Sequence, residues 1–236
     1  MKHSNATSGH PVLKRVGFAA LALATMLGSV AATSTAAGAS KNSKPVVRND
    51  ALAPIAVQAL SDLQDVEAAS LWDTTADTVA PSAEAVTRDR YVSARDAIAT
   101  EVAGRLGIEP SRMIEAWANA DFAHQTALMA AMSQLGVRYR RNTSEPGVGF
   151  DCSGLTAYAW SVAGTEIAHQ SRSQIRNASP RTIDTAQAGD LVYYPGHISM
   201  YLGVDKAIVH SPFTGRTVEV AVIGKRRSLR FADPVG

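Results

Sequence analysis

The chain has 236 residues with 23 basic and 21 acidic side chains. Three of the bases, Lys2, Lys14 and Arg15, and no acid lie in the first 39 positions, leaving 20 bases against 21 acids in the remainder. That near-neutral balance offers no clustered Lys and Arg of the kind nucleic-acid binding needs. One cysteine excludes an internal disulfide framework and a Cys/His zinc site.

At the N-terminus, Lys14-Arg15 precede an apolar run from Val16 to Val30, followed by small residues and Ala37-Gly38-Ala39. The run is shorter than the roughly 20 residues that span a bilayer, so residues 1–39 read as a secretory signal cut before Ser40, with no stable membrane insertion afterwards. A retained anchor is the alternative. Residues 40–50 have linker composition. From Ala51 to about Ala80 the apolar residues Ile55, Ala59, Leu63 and Val66 fall at helical spacing. Pro81 breaks that pattern, and a second helix is expected from Ser82, its N-cap, to Leu106, with Gly107 beyond its end. A third helix begins at Ser111 and carries Met113, Ile114, Trp117 and Ala120, and a fourth spans about Phe122 to Leu135.

Past Gly136 a loop with Asn142, Pro146 and Gly149 leads into a helix whose Leu155, Tyr158, Ala159 and Val162 share a face, ending at Gly164. The period then changes to two. Leu191–Tyr194, His197–Leu202, Ala207–His210 and Thr217–Val222 read as an antiparallel meander, and a helix followed by adjacent strands predicts an α+β domain with the helix packed on the sheet. Residues 51–121 are expected to be a helical segment and 122–236 a second domain. Residues 40–131 carry 8 bases and 13 acids, whereas residues 132–236 carry 12 and 8. Opposite charge allows the helical segment to contact the second domain and restrict its cleft; a spacer with a solvated acidic face is the alternative. Lys225-Arg226-Arg227 reads as a solvated face.

Chemistry concentrates around Cys152. With Asp151 as N-cap, the cysteine falls in the first turn of its helix, where unpaired N–H groups and the dipole favour a thiolate and can stabilise an oxyanion. In the strand from His197, alternation puts Ile198, Met200 and Leu202 on the core face and His197, Ser199 and Tyr201 on the other. His210, two residues after Ile208 in the next strand, is expected about 5 Å from a facing partner, within imidazole-to-imidazole reach of His197. A nucleophile, a base and an orienting group can thus be assembled, against the bland reading of a small buried thiol and two packed histidines.

From about Ala131 to Val222 the chain resembles the NlpC/P60 cysteine peptidases of bacterial cell walls. The resemblance rests on Leu-Gly-Val-Arg-Tyr at 135–139, Phe-Asp-Cys-Ser-Gly-Leu at 150–155, Ser-Arg-Ser-Gln at 171–174, Ala-Gly-Asp-Leu-Val-Tyr-Tyr at 188–194, Gly-His-Ile-Ser-Met-Tyr-Leu-Gly at 196–203 and Ile-Val-His-Ser-Pro at 208–212. It implies a papain-like fold, with Cys152 as nucleophile, His197 as general base and His210 as the orienting third residue. It also implies Tyr139 beside the nucleophile, Asp151 and Ser153 lining the peptide cleft, and neither metal nor cofactor. The implied activity is a secreted, wall-located endopeptidase acting on peptidoglycan stem peptides, at the bond between D-γ-glutamyl and a diamino acid. An amidase of similar fold and a non-catalytic wall-binding module are the alternatives. His169 and Arg172 are read as packing at a helix start near the cleft, and His124 as structural. Two departures stand out: Tyr139-Arg140-Arg141-Asn142 replaces the family's Tyr-x-Trp-Gly-Gly, and the gap from His197 to His210 is one residue longer, which a widened turn at Val204-Asp205-Lys206 can absorb.

Overall fold

A computed structural model describes residues 50–70, 83–225 and 228–236. The expected signal, most of the linker, Ser82 as a cap and part of the Lys225-Arg226-Arg227 run lie outside the described residues. Four helices come first: α1 (Leu52–Ser70), α2 (Ala83–Leu106), α3 (Pro110–Asn119) and α4 (Phe122–Met132). In α1 the buried stripe is Leu52, Ala56, Ala59 and Leu63, while Ile55 is 41% exposed. The helix is thus rotated from the orientation its largest side chains suggested. Alanines on the inner face let α1 lie close against α2 and α4, and that contact outweighs burying one isoleucine.

Pro110 opens α3 at a position where its missing N–H costs no hydrogen bond, so this helix starts one residue before Ser111. Asp121 caps α4 by accepting from the His124 N–H at 2.9 Å. A short hairpin, β1 (Ser144–Glu145) and β2 (Gly149–Phe150), delivers the chain to α5 (Cys152–Val162), and α6 (Ser171–Asn177) follows. The remaining strands, β3 (Ser179–Arg181), β4 (Leu191–Tyr194), β5 (His197–Tyr201), β6 (Ala207–His210), β7 (Glu219–Val222) and β8 (Arg230–Asp233), form one antiparallel sheet in the order β3-β8-β4-β5-β6-β7. The fold is α+β. Strands β4 to β7 are the anticipated meander, and β8 inserts between β3 and β4.

The sheet is covered on both faces. Leu191, Ile198, Met200, Leu202 and Val209 share a core with Leu155, Ala159 and Trp160 of α5. On the reverse, Val192, Tyr201, Ile208, Ile223 and Phe231 make a second apolar cluster. Alternation along β5 therefore separates two buried layers rather than core from solvent, and all five of its residues are buried. Helix α3 docks at the far end of this strand: Trp117 Nε1–H donates to the Leu202 carbonyl at 3.0 Å, and Arg112 grips Asp205 at 2.8 and 3.2 Å. Asp205 takes a left-handed φ of 51°, which accommodates the longer turn between β5 and β6.

Candidate active site

Helix α5 begins where Asp151 turns the chain. Its backbone is extended, and its Oδ1 accepts from the Gly154 N–H at 2.7 Å, closing the cap. The Asp151 N–H donates to the Thr143 carbonyl at 3.0 Å, so the loop after Tyr139 presses against the helix start. Gly154 makes this approach feasible, since a Cβ there would stand 2.1 Å from the Thr143 oxygen. Cys152 is thereby fixed in the first turn, half-buried, with the amides of Ile198, Ser153 and Cys152 itself directed at its sulfur. The Ile198 amide belongs to β5, which brings the thiol against the start of the strand that carries His197. Burial pushes the Cys152 thiol up from its ordinary range, the Asp151 carboxylate adds to that, and the three amides oppose without prevailing. The thiolate-favouring environment expected from the helix terminus is thus outweighed by desolvation.

His197 opens β5, 7% exposed, with its ring against Tyr194 at a centroid separation of 5.1 Å. Its Nε2 lies 2.9 Å from Nδ1 of His210, and the rings meet edge to face at 5.0 Å. The two are not opposite each other. The β5–β6 register pairs Met200 with Val209 and Tyr201 with Ile208, which sets His210 opposite Ser199 and diagonal to His197. Burial pushes His210 toward its neutral form, with Arg216 acting in the same direction and Glu219 against it. Glu219 escaped sequence reasoning although a signal existed: pairing Ala207–His210 with Thr217–Val222 sets an acid directly opposite His210, as the β6–β7 register has it.

Tyr139, bridged through its backbone to Phe150, lies within electrostatic range of the Cys152 thiol. Burial raises its phenol, and the charges of Cys152 and Asp151 add to that effect. Asp151 and Ser153, assigned by sequence to the substrate, are 8% and 7% exposed and turned inward. Asp151 Oδ1 also meets the Ser153 hydroxyl at 3.1 Å and His169 Nε2 at 2.9 Å, and its Oδ2 accepts from the Asn142 N–H at 2.8 Å. The carboxylate ties the loop at Asn142, the start of α5 and His169 together. His169, read as helix-start packing, instead ties the approach to α6 onto this carboxylate. Arg140, Arg141 and Arg172 are exposed. Asn142, in place of a family glycine, takes a left-handed φ of 52°.

His124, read from sequence as structural, lies in the core at the start of α4. Fully buried, it places Nδ1 2.8 Å from Asp121 Oδ1 and Nε2 3.1 Å from Asp190 Oδ1 and 3.4 Å from Asp233 Oδ1. The ligand atoms of His124, Asp190 and Asp233 are close enough together to hold a cation. Their hydrogen bonds are also those of an imidazolium lodged among carboxylates.

Residues 136–229 match the NlpC/P60 family. Dipeptidyl-peptidase 6 of Lysinibacillus sphaericus is 33% identical over 112 residues, covering 46% of this chain and 40% of that protein. Murein DD-endopeptidase MepH of Escherichia coli K12 is 30% identical over 113 residues, covering 44% and 41%. The chain thus spans about two fifths of the length of either relative. Among solved structures, an NlpC/P60 family protein from Bacillus cereus ATCC 10987 aligns at 30% identity with a TM-score of 0.39, covering 41% of this chain and 34% of that one.

Proposed function

We propose, from the match of residues 136–229 to the NlpC/P60 family, that this protein is an exported cell-wall endopeptidase that hydrolyses peptidoglycan stem peptides through Cys152. The observation that carries the reading is local: a thiol in the first turn of α5, ringed by backbone amides, lies against the start of the strand that opens with His197. Relatives named as peptidases support the reaction class.

The chemistry follows from these groups. His197 removes the thiol proton as the Cys152 sulfur attacks the scissile carbonyl carbon. Negative charge developing on sulfur and then on the carbonyl oxygen is met by amides at the α5 terminus, aided by the Tyr139 hydroxyl. The tetrahedral intermediate collapses as the C–N bond breaks, and His197 returns its proton to the departing amine. Water, deprotonated by His197, then attacks the thioester; the carboxylate product leaves, and the sulfur recovers its proton. His210 orients His197, while Asp151 and Ser153 hold the α5 terminus in shape.

The proposed bond joins D-γ-glutamyl to a diamino acid. Digestion of purified peptidoglycan, followed by mass spectrometry, tests this against the amidase. Truncated stems still attached to glycan are expected; whole stems released would identify the amidase, and intact peptidoglycan would leave a binding module. Cys152→Ala is expected to release nothing while keeping the native far-UV spectrum, and hydrolysis by that variant would remove the thiol from the mechanism. Export is tested by N-terminal sequencing of the extracellular protein, for which Ser40 is the expected first residue.

A further inference from the structure

Beyond the nucleophile, base and orienting residue lies a second pair of side chains that the mechanism above does not use. Glu219 stands directly across from His210 in the β6–β7 register, with its Oε1 3.7 Å from His210 Nε2. That nitrogen is buried and, among the described residues, has no hydrogen-bond partner at normal length. Glu219 stops short of it because Arg216 holds both carboxylate oxygens: Nη2 lies 2.6 Å from Oε1 and 2.7 Å from Oε2, and Nε lies 3.1 Å from Oε2. The backbone carbonyl of the same arginine accepts from the Tyr139 N–H at 2.8 Å, so the clamp is anchored to the loop beside the thiol.

We infer that Glu219, held at its distance by Arg216, is a positioning residue that sets which nitrogens of His210 and His197 carry protons. The inference rests on the reading of Cys152 and His197 as nucleophile and base. A neutral imidazole has one N–H donor and one bare acceptor. At the His197 Nε2 to His210 Nδ1 contact, therefore, one ring must donate and the other accept. A carboxylate facing His210 Nε2 favours the proton on that nitrogen and leaves Nδ1 bare. His197 then donates from Nε2, and its own Nδ1 is left without a proton, ready to receive one from the thiol. Reversing the order protonates His210 Nδ1, makes His197 Nε2 the acceptor and moves the His197 proton to Nδ1, where it disables the base. One charge thus selects a tautomer across two rings.

Arg216 has the complementary task. A carboxylate free to close on His210 would favour the imidazolium, whose second N–H on Nδ1 imposes the disabling arrangement. Burial and the guanidinium both oppose that protonation. Among the described residues, the charged or titratable groups that face His210 include His197, Glu219 and Arg216.

The test uses the full chain and a soluble stem peptide ending in a diamino acid. Glu219→Gln is expected to lower kcat by about 10–100-fold, by analogy with the loss of carboxylates that orient metal-ligating histidines, with KM little changed. Arg216→Gln is expected to move the acidic limb of the kcat profile to higher pH. Imidazole nitrogen NMR of the wild type, without substrate, is expected to show His197 protonated on Nε2 and His210 on Nε2, and Glu219→Gln to shift both assignments. A folded Glu219→Gln enzyme with wild-type kcat and an unmoved pH profile overturns the inference. So does a wild-type spectrum with the proton on His197 Nδ1, which needs no variant to fold. A wild-type protein inactive on the peptide sinks the proposed function instead, and the spectrum alone then decides the proton arrangement.

Discussion

His210 reaches His197 across a diagonal of the sheet, ring nitrogen to ring nitrogen at 2.9 Å. Directly opposed residues could meet with short side chains; a diagonal pair needs length. His210→Gln is therefore expected to keep part of the activity, whereas His210→Asn falls short and behaves like His210→Ala, each about 10–100-fold down in kcat. Equal rates for the Gln and Asn variants would show that reach across the diagonal is irrelevant.

The cap of α5 permits no side chain at its third residue. A methyl at position 154 would meet the Thr143 oxygen at 2.1 Å and His169 Nε2 at 2.9 Å. The oxygen is backbone and cannot rotate away, so Gly154→Ala must part the loop from the helix. The expected cost is about 1–3 kcal/mol in urea unfolding, with a larger loss of activity than of stability because Cys152 moves with the cap. An Ala variant as stable as wild type would mean the loop yields freely.

Burial governs the resting thiol. Cys152 lies above the ordinary cysteine range, so its alkylation by iodoacetamide is expected to keep rising beyond about pH 8.5 instead of levelling off near neutrality. A rate that levels off below pH 7 would reveal a preformed thiolate–imidazolium pair and reverse the order of proton transfer and attack.

His124 makes stability depend on pH. Burial alone would lower its pKa, but the hydrogen bonds it donates to the Asp190 and Asp121 carboxylates outweigh that and raise it above the unfolded value. The stabilisation it provides is complete below the unfolded pKa of about 6.5 and is lost as pH rises through the folded one. Asp121 and Asp233 are shifted down, so their contributions exist above about pH 4 and disappear on acidification. Urea midpoints are expected to peak in mildly acidic solution and decline toward alkaline pH. His124→Gln should flatten that alkaline decline; an unchanged slope would assign it to other groups.

The helical segment shares its interior with the rest of the fold. Ile98, Val102, Met113 and Trp117 are fully buried, and each is worth about 1.5–3 kcal/mol. Together they rival the net stability of an ordinary domain, about 5–15 kcal/mol. A chain starting at residue 122 is expected to melt far lower or to aggregate, rather than to gain activity. A soluble, cooperatively folded and faster enzyme would instead make the segment a restraint on the cleft.

How much of this was legible beforehand depended on pattern length. Pro81 and Gly107 bracketed α2, the spacing of Met113, Ile114 and Trp117 announced α3, and the clustered Gly-Phe-Asp-Cys-Ser-Gly announced the α5 terminus. Strands β3 and β8 carry no such signal. Ser179–Arg181 and Arg230–Asp233 are short, carry Pro or Arg, and lack an alternating run. The exposed placing of Ile55 was equally hidden, because alanines fit either side of a helix and tertiary packing chose between them. The resting state of Cys152 depended on desolvation, which sequence neighbours do not encode.

Strand β8 has a further consequence. Leu191–Tyr194 needs partners on both flanks, and one of them, Arg230–Asp233, is synthesised some forty residues later than its neighbour in space. Until those residues arrive, β4 presents a bare, apolar edge of the kind that recruits other nascent strands. The time between making β4 and closing over it is thus a window of vulnerability to misassembly, and a holdase that covered that edge would be expected to raise the folding yield more than one acting on the helices.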